Sequence, residues 1–251
     1  MSHRIRAIVY VASAIVTFAT LMYAAMGLPK FGTFSGAYSA MLLQISTLER
    51  HVYNVPTAVN FDYRGFDTLG EEFIFFTSVA GVLFIFSAVR GKAEKHGEPM
   101  EHEGDRRQSG AIRWFPTGLT AFIAALGMDL GAHGQLTPGG GFQGGAIFGS
   151  AIACIYLGVG IHAFIRTAKK ETFDMLEALG AFAFGALGVA AMWITGAFLR
   201  NIMPLGQTGA TVSGGTIYFL SCAVFVEIAC GFTVLLLVFL KQTGQTQEGE
   251  Q

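Results

Sequence analysis

Glu227, in the middle of a long apolar run, is the residue of this sequence best placed for ion chemistry. Ala223, Cys230 and Gly231 share its helical face at i−4, i+3 and i+4. A charged side chain at mid-span costs about 2.5–3.5 kcal/mol, which neighbouring Leu, Val, Phe and Ile residues offset at roughly 0.3–0.6 kcal/mol each. The helix therefore inserts, and a carboxyl in that setting exchanges a proton wherever water or a second polar group reaches it. The same residue also fits a protonated glutamate that only hydrogen-bonds across a helix interface. Asp67 and Glu71 stand four apart before another apolar run, with Arg64 close enough in sequence to hold one carboxylate. They suit an outer station for a cation or proton. They also suit a helix start, with Asp67 and Thr68 as caps and Glu71 and Glu72 as charges at the positive end of the dipole. Asp129 and His133, again four apart, form either an ion pair or a short proton relay.

The elements that must position these groups are membrane helices. Of 251 residues, 52% are hydrophobic and 13% charged, and mean hydropathy is +0.51; soluble domains run near 25% charged. Six runs near 6–28, 69–90, 112–133, 142–165, 174–199 and 215–240 reach the roughly 20 residues that cross a hydrocarbon core. The first follows Arg4 and Arg6 and is too long for the apolar core of a signal peptide, so it reads as a retained anchor. Lys and Arg concentrate at the N-terminus, in 90–113 (Arg90, Lys92, Lys95, Arg106, Arg107, Arg113), at Lys169 and Lys170, and at the C-terminus. This all-α, six-span chain is therefore expected to have both termini in the cytoplasm.

The segment Gly91–Gly110 (GKAEKHGEPMEHEGDRRQSG) is mixed in charge and lacks a helical apolar face, so it reads as a linker. It divides a two-span module over 1–90 from a four-span domain over 111–241, with a polar tail at 242–251. Residues 31–50 are partly amphipathic and suit either an interfacial helix or a loop. Asp174 and Glu177 open the fifth span and read as marks of its cytoplasmic end, while His162 and Arg166 close the fourth. His96 and His102 have no ligand partners nearby, and Cys154, Cys222 and Cys230 lie in apolar runs without metal or disulfide spacing, so no metal and no cofactor is expected. A net charge of −1 without a basic stripe argues against a nucleic-acid partner.

Between the third and fourth spans the chain reads LTPGGGFQGGAIFG, in which Gly139, Gly141 and Gly144 match GxGxxG. Dinucleotide binding requires that pattern after a strand, and here it lies between two hydrophobic helices. Pro138 ends a helix, the glycines Gly139, Gly140 and Gly141 permit a tight turn, and Gly144, Gly145 and Gly149 let the helices flanking the turn approach closely.

The segment TPGGGFQGG (Pro138, Gly139, Gly140, Gly141, Phe142, Gln143, Gly144, Gly145), with Thr195 and Gly196 in the fifth span and Glu227 in the last, strongly resembles the B subunit of Mrp-type multisubunit cation/proton antiporters over roughly 110–241. It also resembles the equivalent membrane subunit of energy-converting hydrogenase-like complexes. Relatives usually carry aspartate at the position of Glu227, and many have His where this chain has Gln135. Upstream, DYRGFDTLGE (Asp62, Arg64, Gly65, Phe66, Asp67, Thr68, Gly70, Glu71) resembles the carboxy-terminal part of the family's large A subunit, although Pro56 and Asn60 are less typical. The two motifs in this order suggest a fusion of neighbouring subunits.

The resemblance implies a multi-pass subunit of the plasma membrane, part of a secondary transporter rather than an enzyme. It implies large antiporter-like A and D partners and small C, E, F and G type partners within the lipid bilayer. The transported ions would be a cation, Na+ in the first instance, and H+. On this reading the chain bridges larger subunits and lines part of the ion path, with Glu227, Glu71, Asp67, Asp129 and His133 as the path candidates. No lysine lies within a span, so the subunit is not a transporter alone. Two alternatives remain: a membrane-arm subunit of a hydrogenase or ferredoxin-coupled complex, and a structural scaffold with no ion path.

Overall fold

Inside a bilayer a single chain segment satisfies its own backbone polar groups only as a helix, and every regular element among the described residues is helical. The computed structural model describes residues 3–28, 32–33, 36–95, 110–160, 164, 166 and 168–246. In chain order these form α1 (His3–Met26), α2 (Ala37–Arg50), α3 (Val55–Ala58) running into a π-helical turn (Val59–Tyr63), α4 (Gly65–Lys95), α5 (Gly110–Ala132), α6 (Gly141–Val159), α7 (Lys170–Thr195) and α8 (Thr216–Thr246). Six are long and apolar enough to cross a membrane: Arg4–Met26, Gly65–Ser87, Trp114–Ala132, Gly141–Val159, Lys170–Thr195 and Thr216–Leu240.

Three spans differ in extent from the sequence expectation, the second beginning at Gly65 rather than 69. The fourth ends at Val159 rather than 165, because Gly160 takes a φ of +95° that stops the helix. The fifth begins at Lys170 rather than 174, which carries Glu177 about two turns inside it. The expected linker is also shorter at its start, since α4 continues to Lys95. Residues 96–109, with His96 and His102, lie outside the described residues, as do His162 and the tail beyond 246.

The chain separates into two compact units, Met1–Met41 and Leu42–Gln251. The first holds α1, whose described side chains are exposed throughout, as suits a helix covered by lipid or by other subunits. In the second, α8 is central and packs against α4, α5, α6 and α7. Its buried face carries Ile217, Leu220, Val224, Ile228, Val234 and Leu237.

Small residues set how closely these helices approach. A methyl group at Gly144 would lie 2.6 Å from the Gly127 carbonyl oxygen of α5. One at Gly141 would lie 2.1 Å from the Ser221 carbonyl oxygen, and one at Gly145 2.8 Å from that of Phe225, both on α8. The glycine turn thus seats α6 between α5 and α8, with Gly141 and Gly145 facing the sixth span rather than the third. Ser221 completes the junction, accepting the Gly141 N–H at 3.0 Å and so satisfying one of the free donors at the start of α6.

Loops at the N-terminal ends of α4, α6 and α8 form a polar hub. The Asn54 amide donates to the carbonyls of Gly134 at 2.7 Å and Thr137 at 2.9 Å, and Thr57 Oγ1 donates to Gly134 at 2.7 Å. Backbone N–H groups of Tyr53 and Asn54 both donate to the Gln135 carbonyl at 3.1 Å. Gln135, fully buried, donates from its own amide to Ala132 at 3.2 Å and to the Thr211 carbonyl. Gln135 therefore ties the turn to the 211 loop. Arg50 pairs with Asp62 at 2.6 Å, and Asn201 donates to Asp62 at 3.3 Å and to the Gly214 carbonyl at 2.7 Å. Replacing Asn54 with alanine leaves the turn carbonyls with fewer donors, at about 1–3 kcal/mol for a buried partner left unsatisfied. The expected result is a lower thermal unfolding temperature of the assembled complex, and an unchanged temperature would show that water replaces the amide.

Candidate functional site

Three glutamates are buried in the interior of the larger unit: Glu72 of α4 at 2% exposure, Glu177 of α7 at 3% and Glu227 of α8 at 0%. Each lies on the packed stripe of its helix. On α4 the buried positions are Gly65, Thr68, Glu72 and Val79, and on α7 they are Glu177, Gly180, Phe184, Gly188 and Ala191, spacings that follow the helical repeat.

The α7–α8 contact that encloses Glu227 depends on Gly180. A methyl there would lie 2.7 Å from the Ala223 carbonyl oxygen and from the Glu227 backbone nitrogen, and 2.8 Å from the Glu227 Cβ. The small residues around Glu227 therefore do admit a neighbouring helix, as their spacing on one face suggests. One turn further along α8, Gly231 leaves space for the Glu177 carboxyl and the Phe75 ring, which would stand 3.0 and 2.5 Å from a methyl at that position. Phe75 also contacts Phe232 and Phe142, at ring-centroid distances of 5.4 and 6.2 Å.

The Glu72 and Glu227 carboxyls face one another across the α4–α8 contact, and the Glu177 carboxyl stands one turn further along α8, at Gly231. Both carboxyl oxygens of Glu72, both of Glu227 and Oε1 of Glu177 are nevertheless buried without a well-formed hydrogen bond. Uncompensated charge in such a place costs several kcal/mol, so the cluster needs protons or a mobile cation to balance it. Among the described residues no three His, Cys, Asp or Glu side chains gather closely enough to hold a metal ion. The glutamates are separate buried groups rather than one coordination sphere.

Of the ion-path candidates and motif residues read from the sequence, Glu227 lies at this cluster and the others lie outside it. Glu71 is exposed, its neighbour Glu72 being the one turned inward. Asp67 is exposed and bound to Arg64 at 2.6 Å, so Arg64 does hold a carboxylate. Thr68 donates to the Asn60 carbonyl at 2.6 Å, which fastens α4 to the π-helical turn. Asp129 and His133 form an exposed pair at 2.8 Å. Asp62 belongs to the hub, and Gly65 packs against Leu199, 3.5 Å from its Cβ position. Phe66 meets Phe198 edge-on at 6.5 Å. Thr195 returns its hydroxyl to Ala191 at 2.8 Å, and Gly196, at φ +76°, ends α7 in the left-handed conformation.

Sequence reasoning missed Glu72 as a site residue and read Glu177 as a helix-end mark. The signal for Glu177 is its place three residues before Gly180 on the stripe continued by Gly188. For Glu72 it is the spacing of four from Thr68 and seven from Gly65 and Val79.

Residues 112–234 match the family model of a domain related to the MnhB subunit of Na+/H+ antiporters. An uncharacterised protein of Methanocaldococcus jannaschii is 29% identical over 222 residues, covering 78% of this chain and 83% of that protein. Among solved structures, a chain of the membrane-bound sulfane sulfur reductase, an archaeal respiratory membrane complex, aligns with a TM-score of 0.69 at 24% identity, covering 94% of this chain and 98% of that one. A chain of the Mrp complex from Dietzia sp. aligns with a TM-score of 0.68 at 23% identity, with 95% of this chain covering 26% of that longer one. At these identities the likeness to the solved chains is one of fold.

Proposed function

We propose, from the match of residues 112–234 to a domain related to the MnhB subunit of Na+/H+ antiporters, that the chain's buried glutamates exchange a proton against a monovalent cation within a multisubunit membrane complex. The observation that carries this reading is the Glu72–Glu227 pair, two facing carboxyls whose four oxygens are buried without a well-formed hydrogen bond in a helix interface. Two such groups cannot both carry charge without a proton or cation between them. A pure scaffold gains nothing from them, because apolar side chains of similar volume pack there at no electrostatic cost.

The exposed candidates take a different part in the proposal. Glu71, Asp67, Asp129 and His133 lie on the surface of this chain, where a neighbouring subunit can cover them and continue the ion path. Large apolar side chains beside them, such as Phe66 at 71% and Ile74 at 70% exposure, suit the same contact or the lipid. On this proposal the contact is with A- and D-type subunits, with the smaller subunits around them, in the plasma membrane, a reading that the resemblance of 62–71 to part of the large A subunit supports.

A second reading is favoured by the alignment that spans nearly all of a chain in the sulfane sulfur reductase complex. In that case the same glutamates serve ion movement driven by a redox reaction elsewhere in the assembly.

Adjacent carboxyls provide the experiment. Glu72→Gln is expected to impair cation-driven proton movement in vesicles holding equal amounts of assembled complex, and Glu71→Gln to impair it less. Equal loss in the two variants would show that both faces of α4 carry ions, and wild-type rates in Glu72→Gln would remove the pair from the mechanism.

A further inference from the structure

Resting on the proton–cation exchange just proposed, we infer that the Glu72–Glu227 pair is loaded from the end of the bundle where α7 begins, by way of Asp174 and Glu177, with the Lys170 ammonium as a plug that the incoming positive charge displaces. The two ends of the cluster differ in chemistry. Toward the hub it is closed by apolar side chains, with Val52, Phe184, Ile217 and Leu220 at 0% exposure and Phe61 and Leu199 at 6%. The Phe61 and Phe184 rings stand 6.3 Å apart in that layer. The hydroxyls buried on that side, Thr68 and Ser221, are already engaged, with the Asn60 carbonyl at 2.6 Å and the Gly141 N–H at 3.0 Å.

Toward the start of α7 the acids continue. Glu177 reaches over Gly231, one turn beyond Glu227, and its Oε1 is buried without a partner. One turn earlier on α7, Asp174 keeps Oδ1 buried and unpartnered while Oδ2 binds Lys170 Nζ. The Asp174 and Lys170 side chains are 35% and 41% exposed, so this pair connects the buried acids with the surface. Asp174 and Lys170 lie three and seven residues before Glu177, on the same side of α7. The other titratable groups facing Glu177 are Cys230 and Glu227 of α8, with Glu72 and then Glu71 of α4 beyond them. The Lys170 ammonium, bound to Asp174, sits at the mouth rather than inside. A positive charge arriving at Asp174 takes the place of the ammonium, moves to the unpartnered oxygen of Glu177, and then to the Glu227 carboxyl. When the arriving charge is a metal cation, a proton leaves the pair, so the number of positive charges within it is conserved.

The test uses the assembled complex in vesicles, with Na+ as the probe cation and Glu227→Gln as the control for the underlying exchange. Asp174→Asn is expected to raise the half-saturating Na+ concentration several-fold and Lys170→Gln to lower it, both with the maximal rate retained. Lys170→Arg should restore the wild-type value. If the loaded charge is a proton, the same variants shift the pH of half-maximal rate and leave the Na+ dependence in place. If neither dependence moves while Glu227→Gln abolishes transport, the route is wrong and the exchange stands. Wild-type transport in Glu227→Gln overturns the exchange and the route with it. Should the α7 variants not assemble, a membrane-impermeant carbodiimide applied to one face at a time on the wild-type complex decides. Labelling of Glu177 from the Lys170 face supports the route, and labelling from the other face or from neither overturns it.

Discussion

Replacing Glu227 with glutamine is expected to lower cation-driven proton movement by about tenfold or more, the loss that follows from about 1.4 kcal/mol of missing stabilisation in the exchange step. Glutamine keeps the size of the side chain and its ability to hydrogen-bond but has no titratable proton. The fully buried position accepts it without a new clash, since neither carboxyl oxygen has a well-formed hydrogen bond to lose. Assembly should therefore be retained, and a neutral amide should relieve the crowding of charge with Glu72 and Glu177. Glu227→Asp keeps the proton and shortens the reach by one methylene, so partial transport is expected. Vesicle transport normalised to assembled complex reads both variants. Full activity of the glutamine variant would make the chain a scaffold.

The second large effect concerns packing. Gly141→Val places a branched side chain where a single methyl would already stand 2.1 Å from the Ser221 carbonyl oxygen, which belongs to the backbone of a helix and cannot swing aside. Overpacking of this kind costs about 1–3 kcal/mol where side chains can adjust, and more where backbone must move. It would also drive α6 away from Ser221, which accepts the Gly141 N–H. Loss of intact complex from detergent extracts is the expected result. Gly118→Ala is the control, because nothing lies within 4 Å of its Cβ position and alanine is the better helix former. Equal yields of the two variants would mean that α6 has slack against α8.

These contrasts show where the sequence was legible. Hydropathy alone located the spans, because a bilayer leaves helices as the available solution, and Glu227 stood out as an ionisable residue in the middle of a long apolar run. Glu72 and Glu71 could not be separated that way. They differ by about 100° around α4, and the register that turns Glu72 inward is fixed by the preceding π-helical turn and by Thr68 reaching back to Asn60. A π turn has no compositional signature. Glu177 was obscured by its neighbours, since Lys169, Lys170 and Asp174 resemble a helix end at the membrane surface. Burial of the next turn depends on Gly180 and Gly231 meeting other helices. The hub was hidden for a different reason: Asn54 and Gly134, or Asn201 and Asp62, are joined across long stretches of chain by loops whose meeting is a property of the assembled bundle.

The central claim, that Glu72 and Glu227 trade a proton for a cation, is tested most directly by infrared difference spectroscopy of the purified complex when choline is exchanged for Na+. The wild type should lose a protonated-carboxyl C=O band as the cation enters, and the band should be missing from the difference spectra of both Glu72→Gln and Glu227→Gln. An identical band in wild type and both variants would contradict the claim and place the exchanging carboxyl elsewhere in the complex.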